Sequence, residues 1–342
     1  MRVPRGIGVF IAAFALAVVV CPHVYAQGAL LLQDADGMAE VLSPTGHDAV
    51  YFARICAASP TRLRRCAAGE LGAVIGRYTG VAGYDWLAMP LIPYLYSVEY
   101  TSQVPEQVSR ERVQDLRLKY REAHLMSLGA NVNEGDSLRR GWNQLVGAAY
   151  ERRTWAFRFE TTEAQDDAFI AMMNVEMNRS HFNILFRNCA DFSGAVLNFY
   201  FPHIFRRHIL PDAGITSPRQ VAYELGRYAR RHPEVHLTVM EIPLVPGFHH
   251  SSRVGNSAAE SIIVTGFVIP IAILNPFAAA VIVADGLVWG RFPLPLRKAQ
   301  VLGPETMTSL AESTAGSRAQ KTQDPRVLVA SGGTKNPANL IR

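Results

Sequence analysis

A cysteine and a histidine stand where nucleophilic chemistry could be organised. Cys189 lies in "HFNILFRNCADFSGAVLNFYFP" (181–202), directly after Asn188 and at the head of an apolar, helix-like run. Asn188 is a good N-cap residue and Asp191 follows three residues later. The pattern predicts a helix that begins at Cys189, turns Phe192, Val196 and Phe199 inward, and stops at Pro202. Free N–H groups and the positive dipole end at such a position stabilise a thiolate and can receive an oxyanion. A thiol nucleophile also needs a base. His47, in "SPTGHDAVYF", follows a glycine turn and opens a strand, a rigid place to hold an imidazole. Taken singly, each residue also has a structural reading, as an inert buried cysteine and as a strand-end histidine.

The surrounding elements must bring the two together. "HDAVYFARIC" (47–56) and "ELGAVIGRY" (70–78) are apolar and β-rich, and are expected to pair. Residues 27–42 read as a leader into the first strand. "GVAGYDWLAMPLIPYLYSVE" (80–99) reads as a loop packed on the core. A helical pattern follows from Pro105, and a second helix is expected over 139–151. "TWAFRFE" (154–160) alternates, with Trp155, Phe157 and Phe159 on one side, as in a half-buried strand. Thr162 and Gln165 have capping-box spacing, and Ser217 followed by Pro218 marks another helix start. "EVHLTVMEI" (234–242) reads as a late strand.

The ends differ from the middle. "MRVPRGIGVFIAAFALAVVVCPHVYAQ" carries two arginines, an uncharged run from Gly6 to Val20, and "VYA" before an expected cleavage after Ala26. This reads as a signal peptide over 1–26 and implies export to the periplasm or cell envelope. A domain over 27–245 follows, with a helical insertion at 105–178 and a linker at 246–260. The stretch 261–284 has no charge and is long enough for a membrane segment, although Pro270, Asn275 and Pro276 also suit a bent or re-entrant form. Residues 300–342 read as a polar, disordered tail.

Export sets the cysteine chemistry. Loss of Cys21 with the signal leaves Cys56, Cys66 and Cys189. Cys56 and Cys66 flank a short polar loop and are expected to form a disulfide, leaving Cys189 as the free thiol. The net charge of +5 comes from basic residues spread along the chain, which argues against nucleic-acid binding. Neither a G-x-S-x-G elbow nor a Walker loop is present. His232 and His236 do not make a helical metal pair, because Pro233 lies between them. No cofactor and no metal are expected.

Gly46-His47 opening a strand, with "FNILFRNCADF" opening a helix far downstream, resembles the permuted papain-like superfamily. This includes permuted cell-wall endopeptidases of the NlpC type and lecithin:retinol acyltransferase-like proteins. The resemblance covers roughly 42–80 and 180–203. It implies an α+β fold in which a small antiparallel sheet packs on helices, with Cys189 as nucleophile, His47 as general base, and a third polar residue orienting the imidazole. Tyr78, Ser43 and Asp85 are candidates for that third role. Asn188, His181 and Tyr78 are candidates to line the cleft. Acyltransferase-like relatives read Asn-Cys-Glu-His-Phe, whereas this chain reads Asn-Cys-Ala-Asp-Phe.

The expected function is thus thiol-dependent cleavage or transfer of an amide or ester acyl group. Peptidoglycan peptides are the preferred substrate. One alternative is a membrane lipid acyltransferase, and another is a non-catalytic envelope binding or assembly module. The membrane is the expected partner, through 261–284.

Overall fold

A computed structural model describes residues 26–35, 45–79, 81–128, 141–180, 182–207, 214–247, 256–264, 266–288 and 292–310. The first 25 residues, Ser43 and His181 lie outside the described residues.

The architecture is mixed α/β. Strands β1 (Ala26–Gln33), β2 (His47–Phe52), β5 (Ala73–Gly76), β6 (Leu87–Pro90), β7 (Thr154–Thr161), β8 (Thr238–Ile242) and β9 (Gln300–Val301) form one sheet in the order β6-β5-β2-β1-β7-β8-β9. Every pairing is antiparallel except β8 with β9. β3 (Ile55–Ser59) and β4 (Arg62–Arg65) form a separate hairpin. The Cys56–Cys66 disulfide closes it.

Helices cover both faces. α1 (Leu91–Tyr96), α2 (Arg110–His124) and α3 (Trp142–Leu145) share one apolar cluster with Leu31, Ala49 and Tyr51. α4 (Glu163–Val175), α5 (Cys189–Tyr200) and α6 (Pro218–Arg231) share the other with Leu30, Val50 and Phe52. The period-2 alternation of β1 and β2 therefore feeds two cores, one on each face. That is why β7, expected half-buried, is buried along its whole length. Its Phe159 crosses β1 directly over Gly28, where an added Cβ would lie 2.3 Å from the ring.

Three further segments differ from expectation. Part of the expected leader, up to Gln33, belongs to β1, a central strand paired on both sides. The expected loop 80–99 contains β6 and α1, and every residue of α1 is buried. Residues 300–310, expected in the tail, supply β9 and bury Leu302, Met307 and Leu310. In each case tertiary contact decides what local composition does not.

The uncharged C-terminal run is divided among α7 (Ala258–Val264), α8 (Val268–Leu274) and α9 (Pro276–Val288). No described helix is long and apolar enough to cross a membrane. Asn275 ends α8, and its side chain accepts from the Ala278 N–H, so "NP" is a helix start rather than a kink within one helix.

The disulfide joins residues ten apart in sequence. Closing so short a loop stabilises by about 2–3 kcal/mol. Replacing Cys56 and Cys66 together by Ala should lower the melting temperature by roughly 5–10 °C, measured by scanning calorimetry.

Candidate functional site around Cys189

Asn188 begins the site. Its backbone is extended, and its side-chain oxygen accepts from the Asp191 N–H at 2.9 Å. Asp191 returns the bond to the Asn188 N–H at 3.2 Å, completing the capping box. The Asn188 amide also donates to the carbonyls of Ile184 at 3.0 Å and Thr216 at 2.9 Å. Arg77 holds the same corner from the sheet side. It grips Asp85 through two 2.9 Å bonds and donates to the Asn188 carbonyl at 3.3 Å. Asp85, a candidate to orient the histidine, thus acts on the helix start instead, and it also pairs with Arg187.

Cys189 is the first residue of α5, and its sulfur meets the start of β2. Successive residues of a strand face opposite ways. Asp48 shares its face with Val50 and Phe52, which is the face α5 covers. The Asp48 carboxyl lies against the Cys189 thiol and the Ser193 hydroxyl, but neither of its oxygens has a hydrogen bond of good geometry. The N–H groups of Asp48 and Ala190 point at the sulfur and favour its ionised form.

His47 shares the opposite face with Ala49 and Tyr51. Its ring packs on Tyr78, centroids 5.3 Å apart. Gly46 makes the turn into β2 at φ +77°, and an added Cβ would lie 2.3 Å from the Gln33 carbonyl oxygen. Because His47 is the first residue of its strand, it also reaches the space beyond the sheet's end. His47 and Cys189 both line a cavity of about 420 Å³ there. Asn188 lines it too, with an apolar majority that includes Phe182, Ile184, Leu185, Ile262 and Phe267. Tyr78 is buried behind His47 rather than on the cavity wall. A second hollow of about 490 Å³, near Pro243 and Pro246, has no cysteine or histidine in its lining.

Buried polar atoms without a hydrogen-bond partner gather at this corner: Nε2 of His47, both carboxyl oxygens of Asp48, the Tyr78 hydroxyl and the Ser193 hydroxyl. Native interiors rarely leave such groups unpaired, so each of them calls for an explanation. Asp48 and Ser193 are absent from the sequence reading. The signal was available: if His47 opens a strand, its neighbour faces the other way.

Burial governs the charges. It pushes the Cys189 thiol well above its ordinary value, and the Asp48 charge adds to that, against the helix N-terminus. The expectation of a helix-stabilised thiolate is therefore reversed in the resting site. Burial, then the Arg152 charge, lower His47 to about 3. Burial raises Asp48 to about 7, with Asp191 adding to it and the contacts to Cys189 and Ser193 opposing it. At neutral pH the site holds a thiol, a neutral imidazole and a half-ionised carboxyl.

Asp48 therefore couples stability to pH. Its folded value lies above its unfolded one, so its contribution is complete below about pH 4 and is lost as pH rises through about 7. Asp48→Asn removes the buried charge. The variant should melt higher than the parent at pH 8, and the difference should shrink at pH 5. Thermal melts at the two values check this.

No family model matches the chain, and no curated protein or solved structure matches it significantly.

Proposed function

We propose that this is an exported, thiol-dependent acyl transferase or hydrolase of the permuted papain-like kind, acting on apolar acyl esters. One observation carries the reading: a free cysteine at a helix N-terminus lines an apolar cavity beside His47, with the Asp48 carboxyl against its thiol. The disulfide agrees with an oxidising compartment. The apolar lining favours a lipid-type acyl chain over a peptidoglycan stem peptide, which would need rows of donors and acceptors.

The chemistry is nucleophilic catalysis in two halves. The Cys189 sulfur attacks the ester carbonyl and loses its proton to a base. The tetrahedral oxyanion is held by helix N–H groups. The C–O bond then breaks, the departing alcohol takes the proton, and the acyl group remains as a thioester. An incoming water or acceptor nucleophile reverses these steps and frees the thiol. With the thiol raised and His47 lowered, proton transfer to the imidazole runs strongly uphill in the resting site. Asp48 touches the thiol and titrates near the working pH, so it is the better-matched base. His47 then serves the cavity side, as a neutral hydrogen-bonding group near the leaving alcohol.

The probe is para-nitrophenyl octanoate, with a muropeptide in parallel. The parent should form an octanoyl adduct on Cys189, visible by mass spectrometry and released by neutral hydroxylamine. Cys189→Ser should lose turnover by at least a hundredfold. Muropeptide cleavage with no adduct from the ester would move the assignment to cell-wall peptides. Absence of both would leave a binding module.

The pH profile separates the two bases. With Asp48 as base, the rate climbs as pH rises through about 7, and this limb disappears in Asp48→Asn. With His47 as base, the limb lies near 3 and is lost in His47→Gln.

A further inference from the structure

The cavity mouth has an unusual rim. On one side is the turn Asn183–Arg187, closed by paired Asn183 and Arg187 backbones. It holds out Ile184 (66% exposed), Leu185 (42%) and Phe186 (63%). On the other side α7, α8 and α9 pack as a helical hairpin. Gly286 lets α9 approach Ala259 and Ile263 of α7. The hairpin's base is fixed to α6, where Arg219 donates to the Phe292 carbonyl at 2.9 Å and pairs with Glu260 at 3.3 Å. Its far part turns outward Ile273 (79% exposed), Leu274 (86%) and Phe277 (76%). Phe267, between the two regions, is half exposed and lines the cavity itself.

We infer that this rim is a membrane-docking surface, by which the hairpin and the 184–186 turn enter one leaflet of a lipid bilayer and set the cavity mouth against the acyl chains. Three observations point to lipid as the occupant. The patch is far more apolar than a folded chain leaves to water, and it comes from two segments distant in sequence. The stretch 261–284 has no charged residue to pair with a protein partner. Neither helix is long enough to cross the bilayer: at 1.5 Å per residue α8 extends about 10 Å and α9 about 20 Å, against a hydrocarbon core of about 30 Å. A lipid substrate could then slide its chain past Phe267 without crossing water. This extends the acyl-ester reading by naming the source of the chain, but the surface is tested without turnover.

The experiment uses the full chain with Cys21 and Cys189 both replaced by Ser, reconstituted into phosphatidylcholine vesicles. The fluorophore NBD is attached to single cysteines introduced as Leu274→Cys, Phe186→Cys, Lys298→Cys or Glu122→Cys. Lipids carrying a mid-chain nitroxide should quench the labels at 274 and 186 by at least half, and the label at 122, on the charged face of α2, by less than a tenth. External dithionite should bleach the labels at 122 and 298 together, since the hairpin re-enters on one side. Labels at 274 and 186 that stay aqueous on vesicle-bound protein overturn the inference. So does a label at 298 protected from dithionite while 122 bleaches, because the run then spans the bilayer. A lipid-free protein that is a dimer by light scattering, with the 274 label already shielded, assigns the patch to a second copy instead. Failure of the parent chain, with Cys189 intact, to form the octanoyl adduct while the labelled variants are quenched as expected would overturn the proposed chemistry and leave the docking surface standing.

Discussion

The Asn188 side chain ties three pieces of chain to one point. It accepts from the first turn of α5, and it donates to Ile184 in the rim turn and to Thr216 before α6. Arg77, itself held by Asp85, closes the fourth side from the sheet. Thr216 and Arg207 both bond Asp191, so the acidic half of the capping box is fixed from outside the helix as well. The place of the sulfur, the shape of the cavity mouth and the attitude of the apolar turn therefore share one set of hydrogen bonds. Asn188 itself is buried, and a buried amide that loses its partners costs about 1–3 kcal/mol for each group left unpaired. A change at this residue cannot be confined to the helix cap.

The same corner shows why helix dipole and burial have to be weighed together. A helix N-terminus favours an anion by at most about 2 kcal/mol in partly buried geometry. Removing a thiolate from water costs more than that unless a cation is at hand. Here Asp48, itself an acid, lies against the thiol, and Arg77 is engaged with Asp85 and the Asn188 carbonyl. The resting thiol is therefore neutral. The Asp48 and Ala190 N–H groups directed at the sulfur offset only part of that cost.

Much of this was legible in the sequence because the signals were local. The Asn188 cap, the Ser217-Pro218 start, the Thr162–Gln165 box and the short Cys56–Cys66 loop depend on a few adjacent residues, and the structure has each of them. The pairing of "HDAVYFARIC" with "ELGAVIGRY" also follows, as β2 with β5. What was not legible depends on distant partners. β1 lies directly after a signal-like leader, and its apolar residues blend into that run until β2 and β7 are seen on either side. Residues 300–310 are too polar and too short to predict an element, and Gln300 and Val301 become a strand only because Met240 and Glu241 offer an edge. Asp48 is a different case. Its neighbour drew attention as the likelier base by residue type, while strand alternation assigns the thiol-facing side to the aspartate.

The C-terminal run shows the same contest between composition and geometry. Twenty-four uncharged residues satisfy a length rule for spanning, but the rule presumes one helix. Asn275 caps the N-terminus of α9 and accepts from Ala278, Pro276 takes the first position of that helix, and the Asn275 N–H bonds back to Ile271. Backbone groups freed by the break are thus satisfied locally, which is what a turn inside an apolar environment requires. The chain doubles back, Gly286 lets α9 close on α7, and apolar side chains stay exposed along the hairpin, from Ile269 and Leu274 to Val281 and Val288. Because the base of that hairpin also forms part of the cavity wall, the feature that prevents a single span is the one that brings the exposed apolar tip and the thiol to the same opening.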